Sequence, residues 1–284
     1  MRAGYYHKNN DDSLTCDLCF RHCNIVNSGS GFCRVRHNLN GELISSWLGK
    51  FCAIAIDPVE KKPLYHWKSN SYIYSLGSIG CNMNCQFCQN HKISWPPEPE
   101  KIYCQELSAH KLIQDIKADG LSSLAFTYNE PTLQTEFICS ISDEMSENNI
   151  DIVLVTNGMM SEPAAKDLSR VTSAANIDVK AFDSKVYSSL GGSLEAVKEN
   201  IITFINNGVH VELTSLIVPG INDDSEKFAS MVEWIANISR DIPLHVTRYF
   251  PARNYHMPPT DIELLYSLTQ IAKGKLHNIH TGNI

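Results

Sequence analysis

The chain has 284 residues and a formal net charge of −7, with 43% hydrophobic and 19% charged residues. That length suits one large α/β barrel or two modest domains, with apolar content enough for a sizeable core. The acidic balance argues against avid nucleic-acid binding. No apolar run approaches the ~20 residues that cross a bilayer, and MRAGYYHKNNDD at the start has no secretory-signal core. The expected address is cytoplasmic, where disulfides are rare, yet the chain has ten cysteines.

Residues 1–70 show little sustained periodicity. They hold Cys16, Cys19, Cys23 and Cys33, the glycine-rich SGSGF and the charged stretch DPVEKKPLYHW. Short, uneven cysteine spacing inside a cell points to metal ligation, and so small a segment needs a staple. Four thiolates can close a tetrahedral zinc site or hold an iron–sulfur cluster. The spacing leaves both open, and the folding energy supplied by a structural site favours zinc. Glu60, Lys61, Lys62 and His66 either line the open side of a barrel or form a solvated charge run.

From about residue 72 short apolar runs alternate with longer amphipathic stretches. SYIYSLGSI, SSLAFTY, DIVLVTN, AANIDVK, VHVELTSLIV and IPLHVTRYF read as six strands. Between them, segments such as ELSAHKLIQDIKADG and SEPAAKDLSRV start near Ser, Asp or Pro and stop near Gly or Asn, as helices do. Repeated strand–helix units mean a parallel sheet. Six units are fewer than the eight of a closed barrel. The expected α/β architecture is therefore a partial (β/α)6 barrel over residues 71–284, behind a cysteine-rich module over 1–70, with a doubly wound sheet as the competitor.

The sharpest feature is CNMNCQFCQN, which sets Cys81, Cys85 and Cys88 directly after the first of these strands. The C-terminal ends of parallel strands are where such folds place their chemistry. Thiolates suit zinc and iron–sulfur clusters, and zinc usually takes four protein ligands in paired knuckles. Three cysteines leave one iron of a 4Fe–4S cluster open. Polar residues follow at the ends of later strands: Glu130 in TYNEPT, Asn157 in TNG, Asp178 and Lys180 in DVK, and His245 in PLHVTRYF. Each also has a structural explanation, as a helix-start carboxylate, a turn residue, a surface ion pair or a core histidine.

C-x3-C-x2-C with Phe87 before its last cysteine resembles the signature of the radical S-adenosylmethionine (SAM) superfamily. The resemblance implies a 4Fe–4S cluster on Cys81, Cys85 and Cys88, with SAM chelating the fourth iron and being cleaved to a 5′-deoxyadenosyl radical that abstracts hydrogen. It further implies SAM contacts from Glu130, Asn157, Asp178, Lys180 and Phe87, with Lys180 also serving catalysis. Tyr128 and Asn129 stand where the superfamily has glycines before the glutamate, so the backbone contacts of that motif are not carried over. D-x-K and VPG are similar to motifs of the glycyl-radical-enzyme activases, although no histidine matches in the SEKF that follows. Across nearly the whole chain the motifs are similar to a branch related to pyruvate formate-lyase activating enzyme, which includes the radical SAM component of the AmmeMemoRadiSam system.

Three functions follow as expectations. One is an activase acting on a protein glycine, with flavodoxin or ferredoxin as electron donor. Another is a tailoring enzyme for a small molecule, peptide or RNA, with cleavage to a 3-amino-3-carboxypropyl fragment as a variant. The third is a non-enzymatic zinc-binding protein.

Overall fold

A computed structural model describes residues 1–284. The six expected strands pair side by side: β2 (Tyr72–Gly77), β3 (Ser123–Phe126), β4 (Asp151–Thr156), β5 (Ala174–Asp178), β6 (His210–Ile217) and β7 (Leu244–Arg248). Two more complete the sheet. β1 (Ala53–Pro58) runs antiparallel to β2, and β8 (Ile279–Gly282) adds in parallel to β7. Spatial order follows chain order, so the sheet curls in one direction as an open barrel. Every residue of β3 is buried, as expected of a parallel strand covered on both faces.

A helix follows each of β2 to β7: α1 (Ala109–Ala118), α2 (Thr135–Glu147), α3 (Glu162–Val171), α4 (Leu194–Asn206), α5 (Ser225–Ile238) and α6 (Ile262–Lys273). Five start on a side-chain cap, from Ser108, Ser161, Ser193, Asp224 and Asp261; such caps satisfy otherwise orphaned amide groups. α2 instead follows a 3-10 turn, Pro131–Gln134, capped by the Glu130 side chain. That exception places Glu130 at the mouth.

The N-terminal residues fold as three short antiparallel strands, Tyr6–Lys8, Leu14–Cys16 and Cys23–Ile25, and a hairpin, Arg36–Leu39 with Glu42–Ser45. Leu14, Leu18, Ile25 and Val35 belong to the same continuous apolar core as the barrel strands and helices. Arg36, 1% exposed, reaches α2 and donates to both oxygens of Glu136, at 2.5 and 2.6 Å.

Residues 59–66 turn into the concave face of the sheet. Val59 and Leu64 pack there against Ile73, Ala125, Val153 and Ala174, all fully buried. Polar contacts fix the segment: Asn176 Nδ2 donates to the Pro63 carbonyl at 2.8 Å, and Glu212 accepts from the amides of Tyr65 and His66 at 3.0 and 2.7 Å. Glu212 also accepts from His245 at 2.7 Å and His210 at 3.0 Å. His245 is thus a satisfied interior histidine, and His66 faces His280 of β8 at 2.8 Å.

Burial alone would raise the Glu212 carboxyl, but its histidine and backbone partners hold it well below the usual carboxylate range. A depressed folded value contributes stability above the ordinary value of 4.5, lost as pH falls through and below it. Glu212→Gln should cost about 2–3 kcal/mol at pH 7, since hydrogen bonds to a charged group are lost. Denaturant midpoints of both proteins taken from pH 7 to pH 3 should converge on acidification; a constant gap would show that Glu212 does not carry this charge.

Candidate active site

At the C-terminal ends of the strands lies a cavity of about 510 Å³. Cys81, Cys85, Cys88, Phe87, Glu130, Asn157, Asp178 and Lys180 all line it. Every barrel residue expected at the site from sequence is thus brought to one chamber. The two segments that position most of them are the cysteine loop after β2 and the TYNEPT turn after β3.

The cysteine loop is pinned carbonyl by carbonyl. Trp95 Nε1 donates to Met83 O at 2.7 Å, Arg253 to Cys85 O at 2.8 Å and the Asn254 amide to Gln86 O at 3.0 Å. Cys81 Sγ accepts from the Met83 amide at 3.4 Å and Asn157 Nδ2 at 3.6 Å. Gly80 enters the loop at φ +99°, and a Cβ there would stand 2.6 Å from Val35 Cγ1. Only glycine meets both demands.

Glu130 is 1% exposed, and four donors surround it. Oε1 accepts from the Thr132 amide (2.9 Å), Thr132 Oγ1 (2.6 Å) and Thr156 Oγ1 (2.7 Å); Oε2 accepts from the Asn157 amide (2.9 Å). Burial pushes its carboxyl up while these donors oppose the shift. Each carboxylate oxygen offers about two acceptor sites; Oε1 is crowded by three donors, whereas Oε2 takes one and keeps a lone pair for another. Asn157 is more fully engaged: its side chain donates to Asn82 Oδ1 at 2.9 Å and accepts from the Met159 amide at 2.9 Å. It holds the cysteine loop rather than presenting a free amide to the cavity.

Tyr128, at the first of the expected glycine positions, has φ +69°, the left-handed conformation a glycine would take. For a non-glycine residue this costs ~1–2 kcal/mol. Its hydroxyl donates to Asp57 Oδ2 at 2.5 Å, and the Lys62 ammonium stands 4.7 Å from its ring centre. Lys62 is itself buried and paired with Asp57 at 2.6 Å. Burial would raise the Asp57 carboxyl, but Lys62 and Tyr128 hold it well below the usual range. Asn129 then ties the turn to the cysteine loop, accepting from Ser78 N and donating to Gly80 O, each at 2.9 Å. Lys61 and Lys62 line the cavity, whereas Glu60 accepts from the Asn70 amide at the surface and His66 is exposed beside His280.

Across the chamber Lys180 pairs with Asp178 at 3.0 Å. Burial opposes its charge, yet Asp178 and the Cys85 sulfur push the ammonium's pKa up. Burial also pushes the Cys85 thiol to about 11, and Cys81 still further with the Glu130 charge adding to it. With N–H donors aimed at the Cys81 sulfur, the three-cysteine loop offers a donor set suited to a strongly cationic metal centre.

In the N-terminal segment Cys16 and Cys23 face each other across an antiparallel pair, with Cys19 in the turn between them. Burial pushes Cys19 up to about 12, and the charges of Cys33, Cys16 and Cys23 add to the shift. Arg21 braces this segment against the cysteine loop, donating to Asn82 O at 2.8 Å and to Gly191 O, and stacking 3.4 Å from the Phe32 ring centre.

Three cysteines, a buried carboxylate and a lysine gathered at the mouth of an open α/β barrel define the candidate site of an enzyme. The Radical SAM superfamily pattern matches residues 76–234, more than half of the chain, and the chain belongs to that superfamily. Membership implies a 4Fe–4S cluster and SAM. The chain is 34% identical over 285 residues to the uncharacterized protein MJ0808 of Methanocaldococcus jannaschii, covering 99% of this chain and 85% of that one. It is 25% identical to a GTP 3′,8-cyclase of Clostridium acetobutylicum over 64% of its own length, and spans only 56% of that enzyme. Streptococcus suis SuiB, solved bound to S-adenosylmethionine, shares the fold with a TM-score of 0.57 at 16% identity, over 72% of this chain and 49% of that one.

Asp57, Asn82 and Arg253 are residues around the site that sequence reading did not single out. Tyr128 was legible only as a departure from a glycine pattern, and the others carry no local signal. Replacing Cys81, Cys85 or Cys88 singly with alanine should strip the reconstituted protein of cluster iron and sulfide at the mouth. Cys139→Ala should leave both in place; equal loss in all four variants would refute the ligand set.

Proposed function

We propose that the protein reductively cleaves SAM to abstract hydrogen from a substrate, in the manner of the glycyl-radical-enzyme activases. The observation that carries this reading is the opposition, across one cavity, of the three-cysteine loop and the Asp178–Lys180 pair. A 4Fe–4S cluster on Cys81, Cys85 and Cys88, when bound, would supply the electron that breaks the sulfonium bond. The free lone pair of Glu130 Oε2 suits the SAM ammonium. The Lys180 cation, held charged by Asp178, suits a carboxylate or ribose hydroxyl. Asn157 and Arg253 act by holding the cysteine loop, and Phe87 supplies an apolar wall that keeps water from the reacting centre. The N-terminal cysteines hold zinc or an auxiliary cluster in this reading, and a flavodoxin or ferredoxin delivers the electron.

A second reading, a tailoring enzyme for a small anionic substrate, is favoured by Lys61 and Lys62, which both line the cavity. The GTP named in the cyclase relatives is a substrate of that charge. The two readings share SAM cleavage and differ in what loses hydrogen.

Anaerobically reconstituted protein given SAM and dithionite should form 5′-deoxyadenosine, and Cys88→Ala should form none. Full activity in that variant would overturn the assignment, and methylthioadenosine as product would move the cleavage to the other carbon–sulfur bond. Glu130→Ala should weaken SAM binding by about 1–3 kcal/mol, roughly 5–150-fold. Unchanged affinity in equilibrium binding would remove Glu130 from the SAM site.

A further inference from the structure

Two of the cysteines outside the mouth loop and the N-terminal set meet in the fold. The short strands Lys50–Phe51 and Gln105–Glu106 pair antiparallel, with Lys50 opposite Glu106 and Phe51 opposite Gln105. The next rung of that register sets Cys52 opposite Cys104. The Leu107 amide donates to Gly49 O at 3.0 Å, so Gly49 and Leu107 form a hydrogen-bonded rung. Such rungs alternate with non-hydrogen-bonded ones, which makes the Cys52–Cys104 rung non-hydrogen-bonded, and the Cys52 amide accordingly turns away to Gly77 O at 2.9 Å. Non-hydrogen-bonded partners lie at about 4.5 Å between Cα atoms, inside the range a disulfide spans. The thiols sense each other: burial comes first in raising Cys104 to about 12, and the charge and hydrogen bond of Cys52 come next.

We propose that Cys52 and Cys104 form a reversible dithiol–disulfide pair. Both are half-buried, and Cys104 lines a surface groove of about 510 Å³ that also carries Lys50, Lys101 and the exposed Tyr103. Glu100 and Glu106 line the groove beside the two lysines, so it carries no net charge and admits a small-molecule disulfide such as glutathione disulfide as oxidant by access to Cys104. Its S–S bond breaks, the protein S–S bond forms, and the two protein thiol protons pass to the two small thiols released. The ring that closes contains Cys81, Cys85 and Cys88. In the reduced state Cys52 Sγ lies 3.6 and 3.4 Å from the carbonyls of Gly77 and Ser78, at the entrance to the cysteine loop. Oxidation draws that sulfur towards Cys104, so the thiol state is coupled to the support of the loop.

The test is independent of SAM chemistry. Metal-loaded protein is equilibrated anaerobically with mixtures of glutathione and glutathione disulfide, quenched in acid, alkylated and cut with trypsin. Peptides 51–61 and 102–111 each hold one cysteine. They should appear joined as the oxidised fraction rises, and should separate again with dithiothreitol. In Cys52→Ser, Cys104 should instead appear alkylated or as a glutathione adduct. Both peptides alkylated throughout, or joining without preference to peptides of the other eight cysteines, would overturn the proposal. The wild-type measurement stands alone should the variant fail to fold.

Discussion

A carboxylate taken out of water must be surrounded by donors, and Glu130 is where that requirement organises the mouth of this barrel. Its two oxygens gather the turn that starts α2, the hydroxyl at the end of β4 and the Asn157 amide. Asn157 in turn grips Asn82 and the Cys81 sulfur. Two strand ends and the cysteine loop are therefore positioned by one buried charge. The geometry of the cysteines does not rest on their own loop, which is too short to hold itself.

The second constraint is that an open sheet cannot fill its own concave face. Residues 59–66 supply the filling, with Val59 and Leu64 against the lower strand residues and Glu212 gripping the backbone. The same segment carries Lys62 up to Asp57 and Tyr128. That contact anchors a tyrosine in a conformation glycine adopts freely, so the strain at φ +69° is offset by a buried ion pair and a phenol hydrogen bond. A departure from the family's glycine pattern is thus matched by residues some seventy positions earlier.

The six central strands and the cysteine loop were legible because buried parallel strands read as unbroken apolar runs and cysteine spacing is rarely accidental. The edge strands were not. β1 inverts the usual pattern, exposing Ile54 and Ile56 at 39% and 45% while turning Asp57 inward. β8 has only four residues, IHTG, with no alternation to detect. Of the site, the residue types at strand ends were readable in order, whereas their division of labour was not. Asn157 reads as a ligand contact in sequence, and only the fold shows that its side-chain amide also ties the cysteine loop through Asn82. Asp57 and Arg253 come from an edge strand and a loop whose place above the chamber depends on tertiary packing alone.

The filled lumen has a consequence for access. With Val59 and Leu64 sealing the lower half and Lys62 and Pro63 as its floor, the chamber is a cup rather than a tunnel. The lower lumen is closed to a bound molecule, and access is left to the side that carries the cysteine loop. Traffic to the buried Glu130 end of the chamber is thereby confined to its upper, open side.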